Sequence, residues 1–170
     1  FLTGAALLGS PSFQRRWLEQ HAAKLDALTD RLRQWVSVLP DSSDVSRLAW
    51  HVLHRVLTAR CACVCRATHP KHVGAYANHI DETILRFACL LISVSPDLVG
   101  LDLALSQPLR LGGFGLRVFS SLHPWCFLAS LLKLLTDKSS CPHLVSCLES
   151  GVEWVRASGQ QDVLDSLFGM

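Results

Sequence analysis

Charge is scarce in this chain. Only 18% of its residues are charged and 49% are hydrophobic, which excludes the weakly apolar, strongly charged composition of a disordered protein. A formal net charge of +2 is too small to argue for nucleic acid by itself. Long apolar runs are also missing. The stretches 87–94 and 118–132 are too short, or too interrupted by His123 and Pro124, to cross a bilayer, so no membrane association is expected. Methionine occurs once, as Met170, and the chain starts at Phe1 with no visible signal peptide. It reads as a piece of a longer open reading frame. The seven cysteines are an odd number and lack the regular spacing of a disulfide framework. Most sit among aliphatic residues, where a free thiol behaves as a small hydrophobe, and this suits an intracellular setting, nucleus or cytoplasm.

Familiar catalytic patterns are absent too. No Gly-x-Ser-x-Gly or Cys-Gly-Ser-Cys context surrounds a nucleophile, and Cys126, beside Trp125, reads as a core position. Gly112-Gly113-Phe114-Gly115 lacks both the G-x-G-x-x-G spacing and the Lys-Ser/Thr of a phosphate loop, which leaves a tight structural turn. Two-metal chemistry needs clustered carboxylates. The one adjacent pair is Asp81-Glu82, placed by its position to open a helix and favour its N-terminal dipole.

What the chain does have is helical periodicity. Residues 1–9 read as an extended entry. Ser10-Pro11 then opens a helix, with Ser as cap and Pro at the first helical position, that runs through Ser37 on Trp17, Leu18, Leu25, Leu28, Leu32 and Trp35. Pro40-Asp41-Ser42-Ser43 is a turn, with Ser43 or Asp44 capping a second helix over about 45–67, which Pro70 stops. A third helix is expected over 78–94, and 98–105 is either a short helical turn or extended. Ser120 or Ser121 caps an apolar helix to about 135, and 141–157 and 160–168 look like two more. The alternation of a sheet is missing almost everywhere. The fold class is mainly α: a multi-helix bundle with a short extended N-terminal entry and a Gly-rich structural turn. It divides into an entry (1–10), a helical bundle (11–105), the Gly-rich turn (106–119) and C-terminal helices (120–170).

Cys61, Cys65 and His69 recur every four residues and share a helix face, with Cys63 and His72 nearby. Thiolates and imidazoles are zinc ligands. Against a metal site, C-x-C-x-C is not a zinc-finger spacing, Cys63 points away and Pro70 breaks the frame before His72. The same cysteines can fill core positions.

The segment Gln107-Pro108-Leu109-Arg110-Leu111-Gly112-Gly113-Phe114-Gly115-Leu116-Arg117, followed by Leu128-Ala129-Ser130, resembles the part of non-LTR retrotransposon reverse transcriptases downstream of their catalytic palm. Gly4-Ala5-Ala6-Leu7-Leu8-Gly9-Ser10, with Phe13 after it, is similar to the segment that follows the palm in that family, although it has one extra residue and lacks the Pro. Ile80-Asp81 resembles the stretch around a recurring Asp between these landmarks. The matches span about residues 2–135. The family's Tyr-x-Asp-Asp, whose aspartates hold the catalytic metals, is absent, so the chain carries no catalytic residue of its own.

The resemblance implies a thumb-like helical region that helps to hold an RNA/DNA template–primer duplex beside the active site. It also implies a partner in the upstream palm, and a divalent metal (Mg) for the parent polymerase but none in this chain. Arg15, Arg16 and Arg31, then Arg110 and Arg117, are the expected phosphate contacts. Gly112, Gly113 and Gly115 form the structural turn. Residues 1–86 are the basic part, with 11 Lys/Arg against 7 Asp/Glu. The competing reading is a helical protein-interaction or scaffold module without nucleic-acid binding, anchored by Trp17, Trp35, Trp50 and Trp154.

Overall fold

Eight helices, α1 to α8, account for most of the chain in a computed structural model that describes residues 10–38, 43–137 and 142–169. The extended entry expected at 1–9 and most of the turn at 40–43 lie outside these residues. The mainly-α bundle expected from the sequence is observed, and no strand occurs among the described residues.

The first helix, α1, spans Pro11–Val38. Ser10 Oγ accepts the Phe13 N–H at 3.3 Å, satisfying one of the donors that a helix start leaves open. Leu18, Leu25 and Thr29 form its buried stripe.

The second helical unit is one continuous rod in three parts: α2 (Ser43–His51), a π turn (Val52–Leu57) and α3 (Thr58–Ala67). Helical backbone angles continue through His51 and Thr58 at the two joints. The sequence explains the π turn. The buried residues Ala49, Leu53, Leu57, Cys61 and Cys65 repeat strictly every four positions. In an α-helix of 3.6 residues per turn, such a row drifts by about 40° per step and would wind off the core. One turn of i→i+5 bonding absorbs one extra residue, about 100° of rotation, and brings the row back. Thr58 N–H accordingly donates to Leu53 O, and the Thr58 hydroxyl donates to His54 O.

Thr68 ends the rod in extended geometry, and Pro70 begins α4 (Pro70–Ile92). This corrects the expected start at 78. A proline that forbids continuation of one helix is equally suited to the first position of the next. The preceding residue, His69, is extended and caps α4 by accepting the Lys71 N–H on Nδ1 at 3.2 Å. Asp81 and Glu82, expected to open a helix, therefore lie in the middle of α4.

The chain continues through α5 (Leu101–Ser106), a 3-10 turn (Leu109–Leu111), α6 (Phe119–Asp137), α7 (Pro142–Ala157) and α8 (Gln161–Phe168). Helix α6 belongs to two apolar clusters. Its first residue, Phe119, joins Leu53, Ile80 and Phe87 in a core where the rod, α1 and α4 converge. Phe127, Leu128 and Leu131 pack with Val155, Val163 and Leu164 of α7 and α8. Fully burying side chains of this size is worth about 1.5–3 kcal/mol each, so α6 ties the C-terminal helices to the main bundle.

Candidate nucleic-acid interface

The glycine segment folds back on α5. Every backbone N–H from Leu111 to Leu116 donates to a carbonyl between Ala104 and Leu109, at 2.8–3.3 Å. No donor is left over to cradle a phosphate. Gly112 and Gly115 take left-handed φ values of +82° and +68°. Gly113 is required for a different reason: a Cβ there would sit 2.3 Å from Gln107 O. Phe114 then packs against Trp50 of α2, with ring centroids 5.4 Å apart.

Asp81 reaches from the middle of α4 to the start of α6. Its two carboxylate oxygens accept the N–H groups of Phe119 and Ser120 at 2.7 and 2.8 Å. The cap of α6 is thus a carboxylate 38 residues upstream in sequence, not the expected Ser120 or Ser121 side chain.

The five arginines taken from the resemblance are all exposed but occupy separate places. Arg15, Arg16 and Arg31 lie on α1, interleaved with Glu19, Asp26 and Asp30. Arg15 faces the start of α4, where it lines a groove with Lys71 and His72. Arg110 is in the 3-10 turn, and Arg117 lies between that turn and α6, near Cys126.

The rod carries a more coherent cationic surface. Between positions 45 and 80 there are five Lys/Arg and no Asp or Glu. Arg47, His51, Arg55, Ala59 and Cys63 are all exposed and follow the same four-residue repeat as the buried row, and the exposed Arg66 comes three residues after Cys63. The π turn that straightens the core row therefore also straightens this one, setting Arg47, Arg55 and Arg66 along one side of a rod about 28 Å long. Arg60 is also exposed, on the side of the rod within electrostatic reach of His21 of α1. Arg47 makes a fully hydrated ion pair with Asp44 at 3.9 Å, while Arg55, Arg60 and Arg66 have no carboxylate partner among the described residues. The signal in the sequence was the coincidence of two period-four rows, which look out of phase when read as α-helix.

The Cys/His set does not assemble. Among the described residues no group of three or more His, Cys, Asp or Glu side chains is placed to hold a metal ion. Cys61 and Cys65 are buried in the core, and burial pushes the Cys61 thiol up to about 12 and the Cys65 thiol higher still. Cys61 accepts a long bond from Tyr76 OH at 3.8 Å, and that hydroxyl lies 2.9 Å from His21 Nδ1. His69, beyond the end of α3, lies 3.3 Å from Ser150 Oγ of α7.

Three of the four tryptophans proposed as interface anchors have partners inside the fold: Trp17 stacks on His21, Trp50 meets Phe114 and Trp154 meets His123. Trp35 is exposed. No described helix is long and apolar enough to cross a membrane. Compared with protein-family models, with curated proteins and with solved structures, the chain finds no match.

Proposed function

We propose that this chain is a non-catalytic helical part of a retroelement-type RNA-directed DNA polymerase, and that it holds template–primer nucleic acid by its phosphates through the Arg47–Arg55–Arg66 face of the rod. The observation that carries the reading is the exposure of Arg47, Arg55 and Arg66 in a 36-residue stretch without a carboxylate. Guanidinium groups bind phosphate bidentately and position a duplex without reading its sequence. The glycine turn has no free donors and serves as a brace. On this reading the divalent metal and the aspartates that hold it belong to the palm of the parent chain.

Fluorescence anisotropy with a labelled RNA–DNA duplex tests the proposal. Affinity is expected to fall steeply between about 50 and 200 mM salt, and replacing Arg47, Arg55 and Arg66 with Ala is expected to reduce the log–log salt slope by about three. Binding that ignores salt, or a triple variant that binds like the wild type, removes the reading.

A second reading has its own support. Leu98, Val99, Leu103, Leu109 and Leu111 are exposed within 14 residues of α5 and the adjoining turn, Val99 at 97% and Leu109 at 72%. Such a patch suits a protein partner, whether the parent's palm or an unrelated one.

A further inference from the structure

A groove of about 660 Å³ runs between α1 and α4, with Trp154 of α7 in its wall. That volume is typical of a small-molecule site. Ala22 and Ala23 of α1 and Gly74 and Ala75 of α4 give it a stretch of small lining side chains, and the buried Leu18, Pro70 and Tyr76 line it as well. Gly74 is the informative residue. It lies inside α4, where glycine costs about 1 kcal/mol relative to alanine. Its backbone does not need the left-handed region, and a Cβ there would meet nothing within 4 Å. Packing therefore gives no reason for glycine at this position, and what it supplies is open space in the groove lining.

One end of the groove is cationic. Arg15 of α1 and Lys71 and His72 of α4 line it, and neither Arg15 nor Lys71 has a carboxylate partner among the described residues. Burial, then Lys71 and Arg15, hold the His72 imidazole below its ordinary range, which places the three groups within electrostatic reach of one another. Of the two carboxylates that also line the groove, Asp26 is engaged by His79 Nε2 at 2.9 and 3.0 Å and by the Thr83 hydroxyl at 3.3 Å. Glu19 is the opposing charge. The first N–H groups of α4 are already used, with Lys71 N–H donating to His69 Nδ1 and His72 N–H to His69 O, so the cationic end is built from side chains.

We propose that this groove binds a phosphate monoester with a flat ring, such as a nucleoside monophosphate: the phosphate between Arg15, Lys71 and His72, and the ring against the small residues Ala22 and Gly74 and the indole of Trp154. Two permanent cations and an imidazole match a dianion, and the arginine fork matches its oxygens. The small side chains of Ala22, Ala23 and Ala75 and the bare Gly74, with an indole in the same lining, leave room for a planar body. None of these residues belongs to the arginine row of the rod, so the site stands or falls independently of the polymerase reading.

Calorimetric titration with adenosine 5′-monophosphate, adenosine and inorganic phosphate tests the site. Saturable binding of the monophosphate is expected, at least tenfold tighter than either fragment. Gly74→Ala is expected to melt at a higher temperature yet bind the monophosphate at least tenfold more weakly, a pairing that loss of folding cannot produce. Arg15→Ala/Lys71→Ala should weaken binding by a similar factor, whereas Arg47→Ala/Arg55→Ala/Arg66→Ala should bind it unchanged. A 5′-phosphorylated oligonucleotide that binds more tightly than the mononucleotide identifies a strand end as the source, and equal or weaker binding identifies the free mononucleotide; either result keeps the site. A Gly74→Ala variant with wild-type affinity, or inorganic phosphate binding as tightly as the monophosphate, overturns it.

Discussion

Asp81 ties together two helices that are distant in sequence. It joins the middle of α4 to the start of α6 by two hydrogen bonds of 2.7 and 2.8 Å, and the glycine turn must therefore close between two fixed ends. Gly113 permits the closure, because its Cα passes Gln107 too closely for any Cβ. Removing a carboxylate cap exposes two helix donors that no other side chain replaces. Asp81→Ala is therefore expected to lower stability by about 1–2 kcal/mol, read as a shift in the urea midpoint with the m-value unchanged. A Ser at this position, which is shorter and neutral, should recover little. If Asp81→Ala melted like the wild type, the start of α6 would be held by packing of Phe119 alone. Sequence reasoning placed Asp81 in a helix N-terminus because acidic residues favour one. The preference was correct, but the N-terminus it serves belongs to a helix 38 residues further on, and nothing local encodes that pairing.

At the scale of elements the rod is the informative case. Its π turn follows from a period-four pattern kept up from Ala49 to Cys65, and one residue too many for an α-helix must be absorbed somewhere. Deleting Val56, a partly exposed residue of the π turn, is expected to give an uninterrupted α-helix in which α2 and α3 keep their mutual orientation. Helicity and melting temperature should be retained or raised. Arg55 should swing by roughly 50° away from the line joining Arg47 and Arg66, and duplex affinity should fall about as far as in Arg55→Ala. Circular dichroism and anisotropy on the same sample check this, and a deletion variant that binds like the wild type would show that the row need not be straight. The same rod shows what was legible beforehand. The cap at Ser10, the course of α1, the end of the rod near Ala67 and the extents of α6 to α8 follow from local rules of capping and spacing. The start of α4 was missed because Pro70 obeys two rules at once, as a stop for one helix and a first residue for the next. Arg47, Arg55, Arg60 and Arg66 are legible in the sequence as cations able to follow a phosphate backbone, but which of them share a side of the rod depends on helix phase, which the π turn alters.

For the whole molecule, the placement of charge and apolar surface separates two kinds of contact. The rod presents four exposed arginines against one carboxylate, Asp44, and residues 98–111, from just before α5 into the glycine turn, present five exposed aliphatic side chains. An exposed cluster of this kind in water favours association, since each aliphatic side chain removed from solvent gains about 1.5–3 kcal/mol before the entropy of association is subtracted. The chain on its own is thus expected to self-associate through α5 and the turn, with sedimentation velocity showing species larger than the monomer at micromolar concentration. Leu103→Ser/Leu109→Ser/Leu111→Ser should restore the monomer without loss of helicity, because none of these side chains is buried. Duplex binding provides the discriminating measurement. If the rod is the nucleic-acid surface, the triple serine variant binds RNA–DNA duplex with the wild-type salt slope, and the apolar patch is a separate site for protein. A slope that collapses together with association would mean that binding needs the assembled form. A wild-type chain that sediments as a single monomer would remove the patch as an interface and leave the rod as the main candidate contact surface.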